Sequence, residues 1–325
     1  MSDALVKIVD LKKEFPIKQG ILDVLMKKPQ LCVKAVDGIS LEIAAGECMG
    51  LVGESGCGKS TLAKTLIRLH EPDEGKILLD GKDISHASHH VMQENARNIQ
   101  MIFQDPYSSL NPRMSVRAIL KEVLTYHHMC PPDKVEERIV ELLHLVGLQE
   151  HHADRYPGEF SGGQRQRIGI ARALALEPKL IIADEPVSAL DVSIQAQVIN
   201  LLIDLREKLG LTLLFISHDL RVVRYITDSV AVMYLGRVVE KASTETLFEA
   251  PKHPYTQILL KASPSITRRE DDDDLIHGEL PSPINLPGGC RFHPRCPYAT
   301  EQCRTQNPEL REVEPGHLVA CHHAK

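Results

Sequence analysis

Apolar and polar residues alternate with a period of two through residues 33–43 (VKAVDGISLEI), which predicts a strand with one face buried and one face wet. Two shorter runs, KLIIAD (179–184) and LTLLFISHD (211–219), are apolar almost throughout and predict central strands covered on both faces. Elsewhere the period becomes that of a helix. RQRIGIARALALEP (165–178) carries apolar residues at helical spacing and stops at Pro178, and IQAQVINLLIDLREKLG (194–210) does the same and stops at Gly210. Residues 91–160 read as mostly helical, with the amphipathic PDKVEERIVELLHLVGL inside them, and interrupt the strand–helix alternation as an insertion. The alternation itself predicts an α/β fold. After HPYT (253–256) the character changes. RREDDDD (268–274) reads as a solvated linker, and prolines at 281, 283, 287, 294 and 297 interleaved with cysteines predict a small, loop-rich terminal unit. No internal repeat is visible.

Composition narrows the classes. A chain of 325 residues, 43% of them hydrophobic, can bury a large core and has room for a second, smaller unit. The formal net charge of −6, with Lys and Arg dispersed, gives no basic stripe, so nucleic acid is not an expected partner. The opening MSDALVKIVDLKKEF lacks the order of a signal peptide, and no apolar run approaches the roughly 18 residues of a membrane-spanning helix. The expectation is a cytoplasmic protein that crosses no membrane by itself. In that reducing compartment the clustered Cys290, Cys296, Cys303 and Cys321 point to metal or redox chemistry before disulfides.

The clearest chemical signal is GLVGESGCGKST (50–61), in which Gly53, Gly58, Lys59 and Ser60 satisfy G-x-x-x-x-G-K-[ST] between an apolar strand and a helix. Glycines let successive N–H groups turn inward around phosphates, the lysine ammonium reaches the β and γ phosphates, and the serine hydroxyl binds Mg²⁺. Ser55, Gly56, Cys57, Gly58, Lys59, Ser60 and Thr61 are therefore the expected nucleotide-binding loop. Cys57 lies near the helix N-terminus, which would lower its pKa and make it alkylatable, but a small residue that simply fits is the preferred reading. Downstream, LIIADEP ends a strand with Asp184 and Glu185, one carboxylate for Mg²⁺ and one to polarise a water, so hydrolysis is expected as well as binding.

EFSGGQRQRIGIARAL (159–174) resembles the signature of ATP-binding-cassette (ABC) ATPases, with Phe160 where leucine is commoner. Gln104 in IFQDP resembles the Q-loop, SALD (188–191) the D-loop and His218 in FISHD the switch histidine, all in family order over about residues 5–255. The resemblance implies an ABC-type nucleotide-binding domain in residues 1–255, with a P-loop core sheet, a helical subdomain at about 91–160 and an antiparallel β subdomain. It also implies composite sites, in which two cassettes sandwich two ATP molecules and Ser161, Gly162, Gly163 and Gln164 reach the γ-phosphate held by the partner's loop. By the same resemblance Glu185 is the general base, His218 stabilises the γ-phosphate, Gln104 senses Mg²⁺ with Ser60 and Asp184 as ligands, and Asp191 belongs to the D-loop contact. Phe15 resembles the aromatic that stacks on adenine, with Val33 beside it; the rival reading is a buried strand aromatic.

FQDPYSSLNPRMSV, VSALDVSIQAQVINLL, SHDLRVVRYITDSVAVMYLGRVVE and HPYT extend the resemblance to the ATPase subunits of bacterial oligopeptide and dipeptide importers (OppF/DppF type), a group that shares its signature with nickel and glutathione importers. Gly158, where that group usually has histidine, is a departure outside the signature. This implies a peripheral protein on the cytoplasmic face of the inner membrane, a second and homologous ATPase subunit, two permease subunits and an extracytoplasmic substrate-binding protein. A soluble ABC ATPase acting on DNA or ribosomes is the alternative, but two cassettes in one chain or long coiled-coil insertions are absent. An exporter would carry a fused transmembrane domain. Residues 256–325 would form the C-terminal extension, whose cysteines in relatives ligate a [4Fe-4S] cluster. Zinc and free thiols stay open beside it, with His293, His322 and His323 as spare ligands.

Overall fold

The computed structural model describes residues 4–17, 19, 26, 30–87, 91, 95–262 and 281–324. The acidic linker expected at 268–274 lies outside these residues, as do Ser88, His89 and His90. Among the described residues the strands, in chain order, are β1 (Ala4–Pro16), β2 (Cys32–Ala44), β3 (Cys48–Val52), β4 (Glu74–Leu79), β5 (Lys82–Asp83), β6 (Ile99–Ile102), β7 (Leu180–Asp184), β8 (Thr212–Ile216), β9 (Ser229–Tyr234), β10 (Arg237–Ser243), β11 (Arg311–Glu314) and β12 (His317–Val319).

The chain folds into two compact units. One comprises residues 44–48 and 87–217, and the other residues 4–43, 49–86 and 218 onward. In the first, β6, β7 and β8 pair in parallel in that order, and β7 and β8 are buried along their whole length. Burial on both faces explains why these strands read as unbroken apolar runs. The helix Gly162–Leu174 starts three residues before the expected stretch, because Ser161 caps it, and the helix Val192–Leu209 ends where Gly210 takes a left-handed conformation with φ of 65°. The stretch expected to be mostly helical also contains the strand β6, followed by the helices Val116–Tyr126 and Val135–Leu145. They pack through Leu120, Leu124, Ile139, Leu142 and Leu143, all fully buried.

The second unit holds two sheets. One runs in the order β2-β1-β4-β5, and its β2 shows the expected alternation of burial. In the other, β3 pairs in parallel with β9, and β9, β10, β12 and β11 continue antiparallel. The terminal residues 311–319 thus finish this sheet as a β-hairpin. Glu240, wholly buried on β10, anchors that hairpin: its carboxylate accepts from the backbone N–H groups of Lys252 (2.7 Å) and His253 (3.0 Å) and meets His317 Nε2 at 2.7 Å. Burial without charge partners depresses the His253 pKa to about 3, so its ring is neutral, and Nδ1 accepts from Tyr255 N–H.

Candidate active site

In the second unit β3, buried throughout, delivers the chain into Gly53 at φ of 152°, and Gly58 closes the loop at φ of 109°. A Cβ on Gly53 would come closer than 3.0 Å to the Met233 carbonyl oxygen, and one on Gly58 closer than that to the Ala35 carbonyl oxygen. Both glycines are therefore required twice over, by dihedral angle and by space. The helix Lys59–Leu66 follows Gly58 with no side chain capping its first N–H groups, which suits an anion at that end. Lys59 is 5% exposed and its Nζ donates to the carbonyls of Gly53 (2.8 Å) and Glu54 (3.0 Å), so the ammonium is tethered inside the curve of the loop. Ser55 and Gly56 are exposed at its rim, while Ser60 and Thr61 are half-buried on the first helical turn.

Cys57 matches the preferred expectation of a small residue that fits, and not that of a reactive thiol. It is 1% exposed, and burial pushes its pKa up in spite of Lys59, whose Nζ lies 3.7 Å from Sγ. It is a small packing residue. Phe15 and Val33 sit half-buried on β1 and β2, and the Phe15 ring meets His70 edge-on at 5.1 Å with Lys13 Nζ 5.5 Å above it. His218 is exposed beyond the end of β8.

In the first unit Asp184 ends β7 and is 4% exposed. The next residue, Glu185, is held at φ of 46°, an uncommon conformation for a residue with a side chain and one that clusters at functional sites. Its N–H donates to Ile216 O at 3.0 Å, and its carboxylate accepts from Gln104 Nε2 at 3.0 Å. The strained turn therefore aims Glu185 at the glutamine 81 positions earlier. Ser161 caps the helix Gly162–Leu174 in a reciprocal arrangement: Oγ accepts from Gln164 N–H (3.3 Å) while Gln164 Oε1 accepts from Ser161 N–H (3.1 Å). Gly163 is buried where a Cβ would collide with the Ile194 side chain, and Gly162 faces Leu190. Asp191 is the exposed N-cap residue of the helix Val192–Leu209 and makes no side-chain cap hydrogen bond.

The cysteine-rich tail overturns one expectation. Among the described residues no group of three or more His, Cys, Asp or Glu side chains is placed to hold a metal ion, and this removes the iron–sulfur cluster expected at Cys290, Cys296, Cys303 and Cys321. The physical reasons are local. Burial, with the neighbouring tail thiols adding to it, pushes the Cys290 thiol up to about 11 and raises Cys296 and Cys321 as well. Cys303 Sγ lies 3.4 Å from both His323 Nε2 and Thr300 Oγ1, and Cys321 Sγ accepts from His323 N–H. Cys321 packs with Val319, Ala324 and Val313 in a small apolar cluster. His293 Nδ1 meets the Cys290 carbonyl and His322 Nε2 the Gln306 carbonyl, so these rings serve the backbone.

What orders the tail instead is a set of arginines that spacing did not reveal. Arg291, 8% exposed, donates to the Leu235 carbonyl and to the Asp37 carboxylate, which also accepts from Arg237 at 3.0 Å. Burial lowers the Arg291 pKa to about 10, still well above neutrality. Asp37 is held below the usual carboxylate range, because Arg291 and Arg237 outweigh the burial that opposes them. Arg295 forms two parallel hydrogen bonds with the Glu54 carboxylate, 2.9 and 3.0 Å. The only sequence signal for these residues was the pair of basic side chains in CRFHPRCP, whose partners lie over 200 positions away.

Comparison with known proteins agrees with this site. Residues 36–188 match the ABC transporter family model, and residues 239–303 match the model described as the oligopeptide/dipeptide transporter C-terminal region. The oligopeptide transport ATP-binding protein AppF of Bacillus subtilis is 54% identical, with 98% of this chain and 97% of that protein covered. The dipeptide transport ATP-binding protein DppF of Haemophilus influenzae is 48% identical, covering 98% and 96%. Among solved structures, the dimeric post-hydrolysis state of the ATP-binding cassette MJ0796 bound to ADP and Pi superposes with a TM-score of 0.64 at 28% identity, over 74% of this chain and 98% of that one. The cbiO1 component of a Clostridium perfringens ABC transporter complex gives 0.65 at 29% identity, over 77% and 92%. Identity above one half over nearly the whole length is decisive, and the chain belongs to the ATP-binding proteins of ABC transporters that carry the oligopeptide/dipeptide C-terminal region.

Proposed function

We propose that this chain binds and hydrolyses ATP to energise import of oligopeptides or dipeptides. The observation that carries the ATP reading is the loop of Gly53 to Thr61, with its two space-restricted glycines, its uncapped helix start and Lys59 tethered inside. The peptide reading follows the similarity to AppF and DppF. Residues 1–255 make up the ATPase domain and 256–325 the extension. Ser55 to Thr61 bind the phosphates through backbone N–H groups and the Lys59 ammonium, and Phe15 with Val33 flanks the base.

Hard oxygen donors suit Mg²⁺, and Ser60, Asp184 and Gln104 supply them. Bound there, Mg²⁺ would neutralise charge on the β and γ phosphates. Glu185 takes the proton from the attacking water, Gln104 orients its carboxylate, and His218 donates to the γ-phosphate. Ser161, Gly162, Gly163 and Gln164 act on nucleotide held by a second ATPase chain, and Asp191 faces that chain too. The mutual capping bonds use Ser161 Oγ and Gln164 Oε1 only as acceptors, which leaves the Ser161 hydroxyl and the Gln164 amide N–H groups to donate to a phosphate.

The partners under this reading are a second, homologous ATPase chain, two permease subunits and an extracytoplasmic binding protein. No described helix is long and apolar enough to cross a membrane, so the permeases would supply the path and the chain would sit peripherally at the cytoplasmic face. The test is peptide uptake and ATP hydrolysis in vesicles holding the chain with its permeases. Glu185→Gln should lower hydrolysis about 10²–10⁴-fold while ATP still binds. Unchanged hydrolysis in that variant would refute the assignment of the base, and uptake that never requires ATP would refute the reading altogether.

A further inference from the structure

Glu54 is the residue of the phosphate loop that the ATP chemistry leaves unexplained, and it is held from outside the loop at two points. Its backbone N–H donates to Tyr255 Oη at 2.9 Å, and its carboxylate takes the two-pronged ion pair from Arg295. Its carbonyl is meanwhile one of the two acceptors that tether Lys59 Nζ. The Glu54 peptide unit is thereby the joint between the lysine and the terminal extension.

The extension is rigid at that joint. Arg295 is 6% exposed in its side chain and Glu54 20%, so the pair is shielded from bulk water. Arg295 also lies over the Tyr234 ring, 5.9 Å from its centre. Tyr234, Tyr255 and Phe292, each at most 1% exposed, form one aromatic cluster with ring centres 4.7–5.4 Å apart. A second connection runs beside it: Arg291 donates to the Leu235 carbonyl, and the adjacent Gly236 N–H donates to the Cys57 carbonyl at 2.8 Å.

We propose that Arg295 is a positioning residue for ATP: by pairing with Glu54 it fixes the loop around Lys59 and cancels a carboxylate charge that would otherwise repel the polyphosphate. The C-terminal extension thus sets the nucleotide affinity of the phosphate loop. This rests on the ATP reading above.

The sign of the electrostatic part makes the proposal separable from a purely structural role. Removing the arginine alone leaves an uncompensated anion in a site for an anion; removing both charges does not. The full chain would be titrated calorimetrically with the non-hydrolysable ATP analogue AMP-PNP and Mg²⁺, with thermal unfolding recorded for every variant. Arg295→Ala should weaken binding about tenfold and Arg295→Lys less, since a lysine keeps the charge but loses the fork. Glu54→Gln combined with Arg295→Ala should recover most of that loss. Wild-type affinity in Arg295→Ala would overturn the proposal, and so would a double variant as weak as the single one. If Arg295→Ala does not fold, Arg295→Gln takes its place, and a variant combining Glu54→Gln with Arg295→Gln that binds no better than Arg295→Gln alone overturns the proposal. Failure of the wild type to bind the analogue would instead strike the ATP reading itself.

Discussion

The phosphate loop and the cysteine-rich tail are both short, irregular segments of the same unit, and they are ordered by different means. In the loop the backbone itself is constrained. Gly53 and Gly58 take positive φ values under the carbonyls of Met233 and Ala35, and little else fits. In the tail the constraint lies in side chains. Arg291 reaches Asp37, Arg295 reaches Glu54, and Phe292 packs against both Tyr234 and Tyr255, while Cys303 and Cys321 are buried and Cys290 and Cys296 half-buried. Backbone constraints tolerate almost no substitution, whereas a network of side chains degrades one partner at a time.

The harshest way to break the comparison is at a glycine. Gly58→Ala should abolish AMP-PNP binding and cost at least about 3 kcal/mol, because the added methyl must displace backbone; chemical denaturation and calorimetry read both effects. On β2, Asp37→Ala strands the buried Arg291 of the tail and weakens Arg237, with an expected loss of about 3 kcal/mol in denaturant midpoint analysis. The same carboxylate predicts a pH dependence. The folded pKa of Asp37 lies below its unfolded value, so its contribution is complete above the unfolded value, near 3.8, and fades as pH falls through the folded value. The acid limb of wild-type stability should therefore fall more steeply than that of Asp37→Asn.

Smaller effects sharpen the picture at the thiols. Cys321→Ser puts a hydroxyl into the cluster of Val319, Ala324 and Val313 and should cost about 1–2 kcal/mol, and Cys296→Ser, only half-buried, should cost less than about 1 kcal/mol. Both variants should keep wild-type affinity for AMP-PNP. Smallest of all, brief alkylation of the native protein with iodoacetamide near neutral pH should leave Cys57 unmodified in peptide mass spectra, with or without nucleotide, since the thiol is buried and its pKa raised.

The same contrast explains what could be read along the chain. The fold class was legible because β7 and β8 are buried on both faces and read as apolar runs, and because Gly210 stops a helix by taking a left-handed conformation; the other helix ends at Leu174, before Pro178. The phosphate loop was legible because its glycines answer a backbone demand that no other residue meets. In the tail, cysteine spacing suggested metal ligation, but spacing does not give the placement of side chains, and among the described residues no group of three or more His, Cys, Asp or Glu is placed to hold a metal ion. At Cys57 the reading of a small residue that fits agrees with the structure, since the helix N-terminus that would lower its pKa is outweighed by desolvation. The pairs Arg291 with Asp37 and Arg295 with Glu54 join residues 254 and 241 positions apart, and no local pattern announces such contacts.

The central claim is that the Gly53 to Thr61 loop holds nucleotide phosphates with Lys59 as its cation. Calorimetric titration of the full chain with AMP-PNP and Mg²⁺, wild type against Lys59→Ala, tests it most directly. Saturable one-to-one binding in the wild type, weakened about 100-fold or more in the variant, is the result predicted for loss of a buried, charge-assisted contact to phosphate. Equal affinity in the two proteins, or no binding in the wild type, would contradict it.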